Sequence, residues 1–362
     1  RANYALEHGT EALSMCVRKA VNEMLGSLAE DAGIRREDVF QVCVVGNTCM
    51  HHLFLGISPA SLVHAPYTPA VSERLVLNAG DYGLAVQERA ELIMLSDIAG
   101  YVGADTCGCL LAIRQDQQEE ISLMIDIGTN GEMVLGNRER MVTCSTAAGP
   151  AFEGAKIECG MRGAAGAVDH VKYEDGKWNY TTVGNKPAVG LCGSGLIDLV
   201  AGLLDAGMLD ENGVLRSGQE KQGVFILVPP ERGGNERGVY LTQKDLGEVQ
   251  LAKAAIAAGI QMLMERLGIT EDDICSVYIA GAFGNYMDPV SAGKIGLFPA
   301  TLVKKVKPVG NAAGEGAKIA LVNEKEMLEM DELVRKIEFV ELAASADFQD
   351  HFIDELGFET GE

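Results

Sequence analysis

The chain is poor in basic charge: 30 lysines and arginines stand against 52 acidic residues, a formal net charge of −22. Such an excess repels phosphate backbones and anionic headgroups, so nonspecific binding to nucleic acid or a membrane surface is excluded. A basic partner surface, or solubility alone, accounts for it. There is no signal-peptide pattern and no apolar run long enough to span a bilayer, and the expected location is the cytoplasm. No G-x-x-x-x-G-K-S/T segment is present, so this is not a P-loop protein, and no G-x-G-x-x-G opens a helix after a strand. Low-complexity segments are lacking too. The nine cysteines are scattered and odd in number, set mostly in apolar stretches, which suits reduced thiols rather than a disulfide framework. None shows ferredoxin spacing; the close pair Cys107 and Cys109 lies inside a helical pattern.

What is there is an ordinary globular balance. The 362 residues are 47 % hydrophobic and 23 % charged, enough for a sizeable core and two domains. Forty-three glycines point to many tight turns and close backbone approaches. The first residue is Arg1 rather than Met, and the chain enters almost at once into a helical pattern, as part of a longer protein would. Residues 10–30 place Leu13, Cys16, Val17, Ala20, Met24, Leu25 and Leu28 on one helical face. A buried strand at 42–47 ends in a glycine, and a short helix follows it. Residues 81–96 carry no strong pattern. A helix rich in small residues covers 98–113, and a second covers 310–323. Residues 155–240 are glycine-rich, with two hairpins, and suggest an inserted subdomain. A long helix over 250–269 is stopped by Gly268. A strand at 276–285 ends in a glycine turn, and the acidic tail over 324–362 holds a strand and a last helix. Strands alternating with helices indicate an α/β fold.

The segment MIDIGTNGEMVL, residues 124–135, carries the chemistry. Two apolar runs flank an Asn-Gly pair, a strong hairpin signal. A hairpin alone needs neither the acid Asp126 at the end of its first strand nor the hydroxyl of Thr129 in its turn. With Gly128, Thr129, Asn130 and Gly131 at the tip, backbone N–H groups can face an anion at close approach. Asp126 is then placed to hold a hydrated Mg²⁺ beside phosphates, since Mg²⁺ takes oxygen ligands and keeps several waters. A structural hairpin with a capped aspartate is the plainer alternative. The motif has company: IAGAFGN, residues 279–285, ends a strand in a turn suited to lying flat on a nucleotide, and the two small-residue helices can cross closely.

In this order the elements resemble the superfamily of acetate and sugar kinases, heat-shock chaperone ATPases and actin. The resemblance implies two ribonuclease-H-like domains of the actin/sugar-kinase superfamily around a nucleotide cleft. It maps the first connecting helix onto 98–113, the second phosphate loop onto 125–132, the adenosine loop onto 279–285 and the second connecting helix onto 310–323. The first phosphate loop has no counterpart, so the first domain is expected to be truncated at its N-terminus. The expected division is 1–114, the remainder of the first domain; 115–323, the second, with an insert at about 155–240; and 324–362, an acidic extension. Longer stretches, among them VVGNTCMHHLFLGISP (44–59), IDIGTNGEMVLGN (125–137), CSTAAGPAFEGAKIECGMRG (144–163), GLCGSGLIDL (190–199) and YIAGAFGNYMD (278–288), resemble the reductive activators of corrinoid proteins. That resemblance implies ATP with Mg²⁺ as cofactors, a corrinoid protein of a methyl-transfer system as partner and a low-potential electron donor. It also implies a [2Fe-2S] domain N-terminal to this chain, and leaves a homodimer open. The activity implied is ATP-driven return of Co(II) corrinoid to Co(I).

The resemblance makes Asp126, Gly128, Thr129, Asn130 and Gly131 phosphate contacts, and Gly281, Ala282, Phe283, Gly284 and Asn285 adenosine contacts. Asp105, on the first connecting helix, is the candidate to orient water or hold Mg²⁺, with Glu132 and Glu153 as weaker candidates. Asn47 in the GNT turn, and Ser145, Thr146 and Gly149 in STAAG, are candidates for the cleft wall, against plain helix capping at Asn47. His51 and His52 are adjacent, point apart on a helix and make a poor metal pair. Cys159 and Cys192 resemble the [4Fe-4S] ligands of acyl-CoA dehydratase activators, one alternative reading. A carboxylate or sugar kinase of the same fold and a non-catalytic nucleotide-responsive module are the others.

Overall fold

The computed structural model describes residues 1–216, 223–281, 284–343 and 345–358. It divides into two compact units: Arg1–Glu119 with Asn137–Thr143 and Asn311–Phe339, and Glu120–Gly136 with Cys144–Gly310 and Val340–Glu362.

In the first unit a three-stranded sheet contains β1 (Gln41–Val44), β2 (Leu75–Asn78) and β3 (Glu91–Met94) in the order β1-β3-β2. β1 runs parallel to β3, and β2 antiparallel. β3 falls in the stretch that showed no pattern, because a four-residue strand is too short for periodicity to register. Phe54, Leu84, Leu92 and Met94 form the core beside this sheet. The helix Glu11–Ala32 ends at Gly33, whose φ of 66° supplies the left-handed cap. Its packed face differs from the expected one: Cys16, Met24 and Leu28 are exposed, while Ser14 and Ala29 are buried and Val17 and Val21 pack on the core. Polar groups share this face. Ser14 donates to the Leu53 carbonyl, and the Arg18 guanidinium donates to the Phe54 carbonyl at 2.7 and 2.9 Å.

The two small-residue helices, Ala104–Ile113 and Ala312–Val322, lie together in this unit. A side chain on Gly316 would overlap the Gly108 carbonyl, and one on Gly108 would meet the Ala313 carbonyl oxygen at 2.6 Å. Glycine is therefore what lets the helices touch backbone to backbone. The first begins at Ala104, later than expected, because Asp97 accepts from the Ala104 N–H at 2.9 Å and starts the helix there.

β4 (Ile121–Ile127), β5 (Gly131–Gly136) and β6 (Met141–Thr146) form a meander, of which β4 and β5 belong to the second unit. The insert holds β7 (Ala167–Glu174), β8 (Lys177–Thr182) and β9 (Gly190–Leu191) in the order β8-β7-β9, then the ribbon β10 (Val224–Val228) and β11 (Val239–Thr242). The helix Gly193–Asp205 separates the two. β12 (Ile274–Ala280) and β13 (Val306–Gly310) complete the main sheet, in the order β13-β12-β4-β5-β6. β4 is parallel to β12, and β12 to β13. Leu123, Met124, Ile125, Val277 and Ile279 are fully buried, as strands covered on both faces require. The long helix runs Gln243–Leu267 and starts earlier than expected, because Thr242 and Asp245 form a capping box ahead of the apolar repeat. Gly268 closes it at φ 70°. In the tail, β14 (Glu338–Phe339) pairs in parallel with Val142 and Thr143. The last helix, Ala346–Asp354, packs on Gln243–Leu267. Among the described residues no helix is long and apolar enough to cross a membrane.

Candidate phosphate and nucleotide site

The β4–β5 hairpin pairs Asp126 with Glu132 and Ile127 with Gly131, leaving Gly128, Thr129 and Asn130 as its tip. The Gly128 N–H donates to the Asn130 carbonyl at 2.9 Å. None of Gly128, Asn130 and Gly131 takes a positive φ, so the Asn-Gly pair is not a two-residue primed turn. Gly131 is required for space instead: a Cβ there would lie 2.9 Å from the Thr146 hydroxyl and 3.1 Å from Ile256 Cγ1.

Asp126 is half-buried at the end of β4, level with Ala280 of β12. The next residue, Gly281, has φ 94°, and a Cβ on it would stand 3.0 Å from Asp126 Oδ1. The Gly281 N–H donates to the Gly310 carbonyl at 2.9 Å, and the Gly284 N–H to the Gly281 carbonyl at 3.1 Å. The Asn285 amide covers Gly310, where a Cβ would come within 2.8 Å of Asn285 Nδ2. The parallel pairing of β4 and β12 thus brings the hairpin acid and the glycine turn side by side. Ala282 and Phe283 lie outside the described residues.

Glu132 lies beneath the tip and is only 7 % exposed. Its Oε1 accepts from Asn130 Nδ2 at 3.2 Å and from the Ser145 hydroxyl at 3.5 Å. Thr146 donates to the Gly131 carbonyl at 3.4 Å. Burial, and then the Glu132 charge, push the Cys144 thiol far above its ordinary range. Gly149, at φ 76°, leads into the turn that carries Glu153. Glu153 accepts the Thr129 hydroxyl hydrogen at 2.7 Å. This pairing, 24 residues apart in sequence, is the contact that motif reading did not supply.

Beside the tip opens a cleft of about 530 Å³, walled by Ile127, Phe152, Glu153, Met161, Arg162 and Tyr286 and by the start of the helix Gly193–Asp205. That helix has no side-chain cap; the Ser194 hydroxyl donates instead to the Asp169 carbonyl at 2.8 Å. Its first turn lines the cleft with Cys192, Gly193 and Ser194.

The remaining candidates sit in the first unit and are described by themselves. Asn47 caps the helix Thr48–Leu55 through the Cys49 N–H at 3.0 Å, while its Nδ2 is buried without a partner. Gly103 rests on it: a Cβ there would meet Asn47 Cα at 2.7 Å. Asp105 is half-buried on the following turn, and its Oδ1 accepts from the Thr106 N–H at 2.9 Å. Nearby, buried His51 pairs with buried Asp97 at 3.2 Å. His52 is fixed at both ring nitrogens, Nδ1 to the Thr48 carbonyl and Nε2 from the Ala70 N–H. His52 is thereby structural.

A mixed sheet in which the β4–β5 hairpin adjoins the glycine turn after β12 is the arrangement of the ASKHA class, the acetate and sugar kinase, heat-shock chaperone and actin fold. Residues 120–362 match the model of the C-terminal domain of RACo, the ASKHA domain, and residues 1–118 match the RACo middle region. The chain belongs to this family. It is 34 % identical over 371 residues to the corrinoid activation enzyme RamQ of Eubacterium limosum, covering 98 % of this chain and 62 % of that protein. It is 29 % identical over 303 residues to the Co(II) methylated amine-specific corrinoid protein reductase of Methanosarcina barkeri, covering 77 % of this chain and 54 % of that one. A solved reductive activator for corrinoid, iron-sulfur protein superposes with a TM-score of 0.91 at 37 % identity, over 99 % of this chain and 59 % of that one. The chain thus spans between 54 % and 62 % of the length of these relatives.

Proposed function

We propose that this chain is the nucleotide-responsive part of an ATP-dependent activator that returns Co(II) corrinoid to Co(I) in a methyl-transferring corrinoid protein. The observation that carries the reading is Asp126 set against Gly281 at the foot of the Gly128–Thr129–Asn130 tip, within the matched ASKHA domain. In this reading the tip N–H groups and the Thr129 hydroxyl receive phosphate oxygens. Gly281 to Asn285, with Ala282 and Phe283 included on sequence grounds, lie against adenosine. Glu132 orients Asn130 from below, and Ser145, Thr146 and Gly149 support the tip; Asn47 and Asp105 keep, on sequence grounds alone, the nucleotide-site roles the resemblance gives them.

Mg²⁺ fits this donor set. Asp126 and Glu153 offer carboxylate oxygen beside a hydroxyl, and among the described residues no three His, Cys, Asp or Glu side chains form a metal cage. A hard cation that takes one or two protein carboxylates and completes its shell with phosphate and water suits such a place. When bound it neutralises phosphate charge; the chain's part is to hold the phosphates in register.

Reduction of Co(II) takes one electron from a low-potential donor, delivered in this reading by a [2Fe-2S] domain of the full-length protein. Each 59 mV uphill costs about 1.4 kcal/mol. A protein shifts that equilibrium only by binding one redox state of its partner better than the other, and nucleotide turnover then releases the complex. The nine free thiols are in keeping with a reducing cytoplasm. The test is direct. Full-length protein with a low-potential reductant, ATP and a Co(II) corrinoid protein is expected to yield Co(I), read by its absorption, and to yield little without ATP. Phosphorylation of a carboxylate or sugar with cobalt left as Co(II) would make it a kinase instead.

A further inference from the structure

Thr129 is the one hydroxyl of the hairpin tip, and a hydroxyl has one hydrogen to give. Here it goes to Glu153 Oε2 at 2.7 Å, the short distance of a bond to an ionised acceptor. The main chain that carries the carboxylate is held beside Thr129. It belongs to a turn closed by Glu153 N–H to Pro150 carbonyl at 3.1 Å, Gly154 N–H to Ala151 carbonyl at 3.0 Å and Ala155 N–H to Pro150 carbonyl at 3.1 Å. Ala151 and Phe152 are buried, which anchors the turn from below. Gly154, at φ 79°, is seated so tightly that a Cβ would lie 2.6 Å from the Met161 N. A negative charge on an anchored turn therefore stands at the place where a phosphate must come to meet Thr129, on the wall of the 530 Å³ cleft.

This inference rests on the nucleotide reading and sharpens it. We propose that Glu153 makes phosphate binding at this hairpin conditional on a divalent cation: its carboxylate rejects metal-free nucleotide and accepts the metal–nucleotide complex. The physics is a change of sign. A bare phosphate at Thr129 places anion against anion in a partly enclosed cleft, and it must also take the hydroxyl hydrogen from a charged acceptor. A divalent cation between the two groups attracts both, leaves the carboxylate in use as an oxygen ligand, and frees the hydroxyl for phosphate. Arg162 on the same wall attracts either form of the nucleotide and so does not supply the discrimination. Glu153 is a positioning and selecting residue in this scheme, with no role in bond breaking.

The test is equilibrium binding of ATP to the full-length protein by calorimetry, with excess Mg²⁺ and again with EDTA. The wild type is expected to bind MgATP at least about tenfold more tightly than metal-free ATP. In Glu153→Gln, which keeps an acceptor for Thr129 and removes the charge, that ratio is expected to fall to about threefold or less, mainly by tighter binding of metal-free ATP. Thr129→Val is expected to weaken MgATP more than metal-free ATP, and so to lower the ratio by loss of MgATP affinity rather than by tighter binding of metal-free ATP. Glu153 is exposed, so the variant is expected to fold, with an unchanged melting temperature as the check. If Glu153→Gln binds MgATP and keeps the wild-type ratio, the proposal is wrong and the nucleotide reading stands. If the wild type binds neither form, both are wrong.

Discussion

Asp126 is an acid where strand packing asks for none. It ends β4 half-buried, between the fully buried Ile125 and the nearly buried Ile127. Asp126→Ala in the full-length protein is expected to weaken MgATP binding about tenfold or more, while the melting temperature moves little, because no large apolar contact is lost. Unchanged affinity and unchanged Mg²⁺ dependence would remove Asp126 from the site. Cysteine chemistry offers a second check at this scale. Burial pushes the Cys43 thiol up to about 11, and drives Cys107 and Cys144 well above the ordinary thiol range, whereas Cys16 and Cys275 are exposed. Only thiolate reacts, so alkylation of the folded chain at pH 8 is expected to label Cys16 and Cys275 first and to spare Cys107 and Cys144, as read by mass spectrometry. Early labelling of Cys107 would mean that its helix opens readily. The acid and the hydroxyl of the hairpin were legible in the sequence because strand and turn formation ask for neither, whereas Gly131 is required by the space that Thr146 and Ile256 occupy rather than by the local turn. The partner of Thr129 was not, since Glu153 arrives through a turn anchored by tertiary burial.

Among the elements, the paired small-residue helices show how spacing and space divide the information. Gly108 and Gly316 could be picked out as small, but only their facing positions explain why neither tolerates a methyl group. Gly316→Ala is expected to destabilise the chain by about 1–3 kcal/mol or more, because the added carbon falls on a backbone carbonyl that cannot step aside. At about 2.1 cal/mol/K per residue, each kcal/mol corresponds to a drop of about 1–2 °C in Tm for a chain of 362 residues. A variant that melts with the wild type would show that the two helices separate at low cost. The exposed face of Glu11–Ala32 teaches the opposite lesson. Its apolar residues Met24 and Leu28 are 57 % and 64 % exposed, while Ser14 and Arg18 take the packed side through bonds to main-chain carbonyls. Hydropathy counts a serine and an arginine as outward, and only tertiary partners reverse that. The capping box at Thr242 and Asp245 was readable, yet it precedes the apolar repeat by a turn and shifts the helix start accordingly.

For the whole molecule, chain order and spatial grouping differ. The helix Ala312–Val322 follows Cys144–Gly310 of the second unit in sequence and groups with the first, because its Gly316 faces Gly108. The family models separate residues 1–118, the middle region, from 120–362, the ASKHA domain. The last prediction concerns what these 362 residues do alone. They contain the hairpin and glycine turn proposed to hold phosphate, so MgATP is expected to stabilise them by about 2.7 kcal/mol at a hundredfold excess over Kd. Electron delivery is another matter. Among the described residues no three metal-binding side chains converge. Cys192 is buried with its Sγ against the Val168 carbonyl at 3.3 Å, and Cys159 is turned toward the Gly238 carbonyl. Residues 1–362 are therefore expected to bind MgATP, to contain iron well below one atom per chain, and to leave Co(II) corrinoid protein unreduced when only a low-potential reductant is added. Stoichiometric iron with visible absorption would overturn this and make Cys159 and Cys192 cluster ligands, the signature of a dehydratase activator. A Tm unmoved by MgATP would instead count against the hairpin as a phosphate site, because a ligand that binds the folded state must stabilise it.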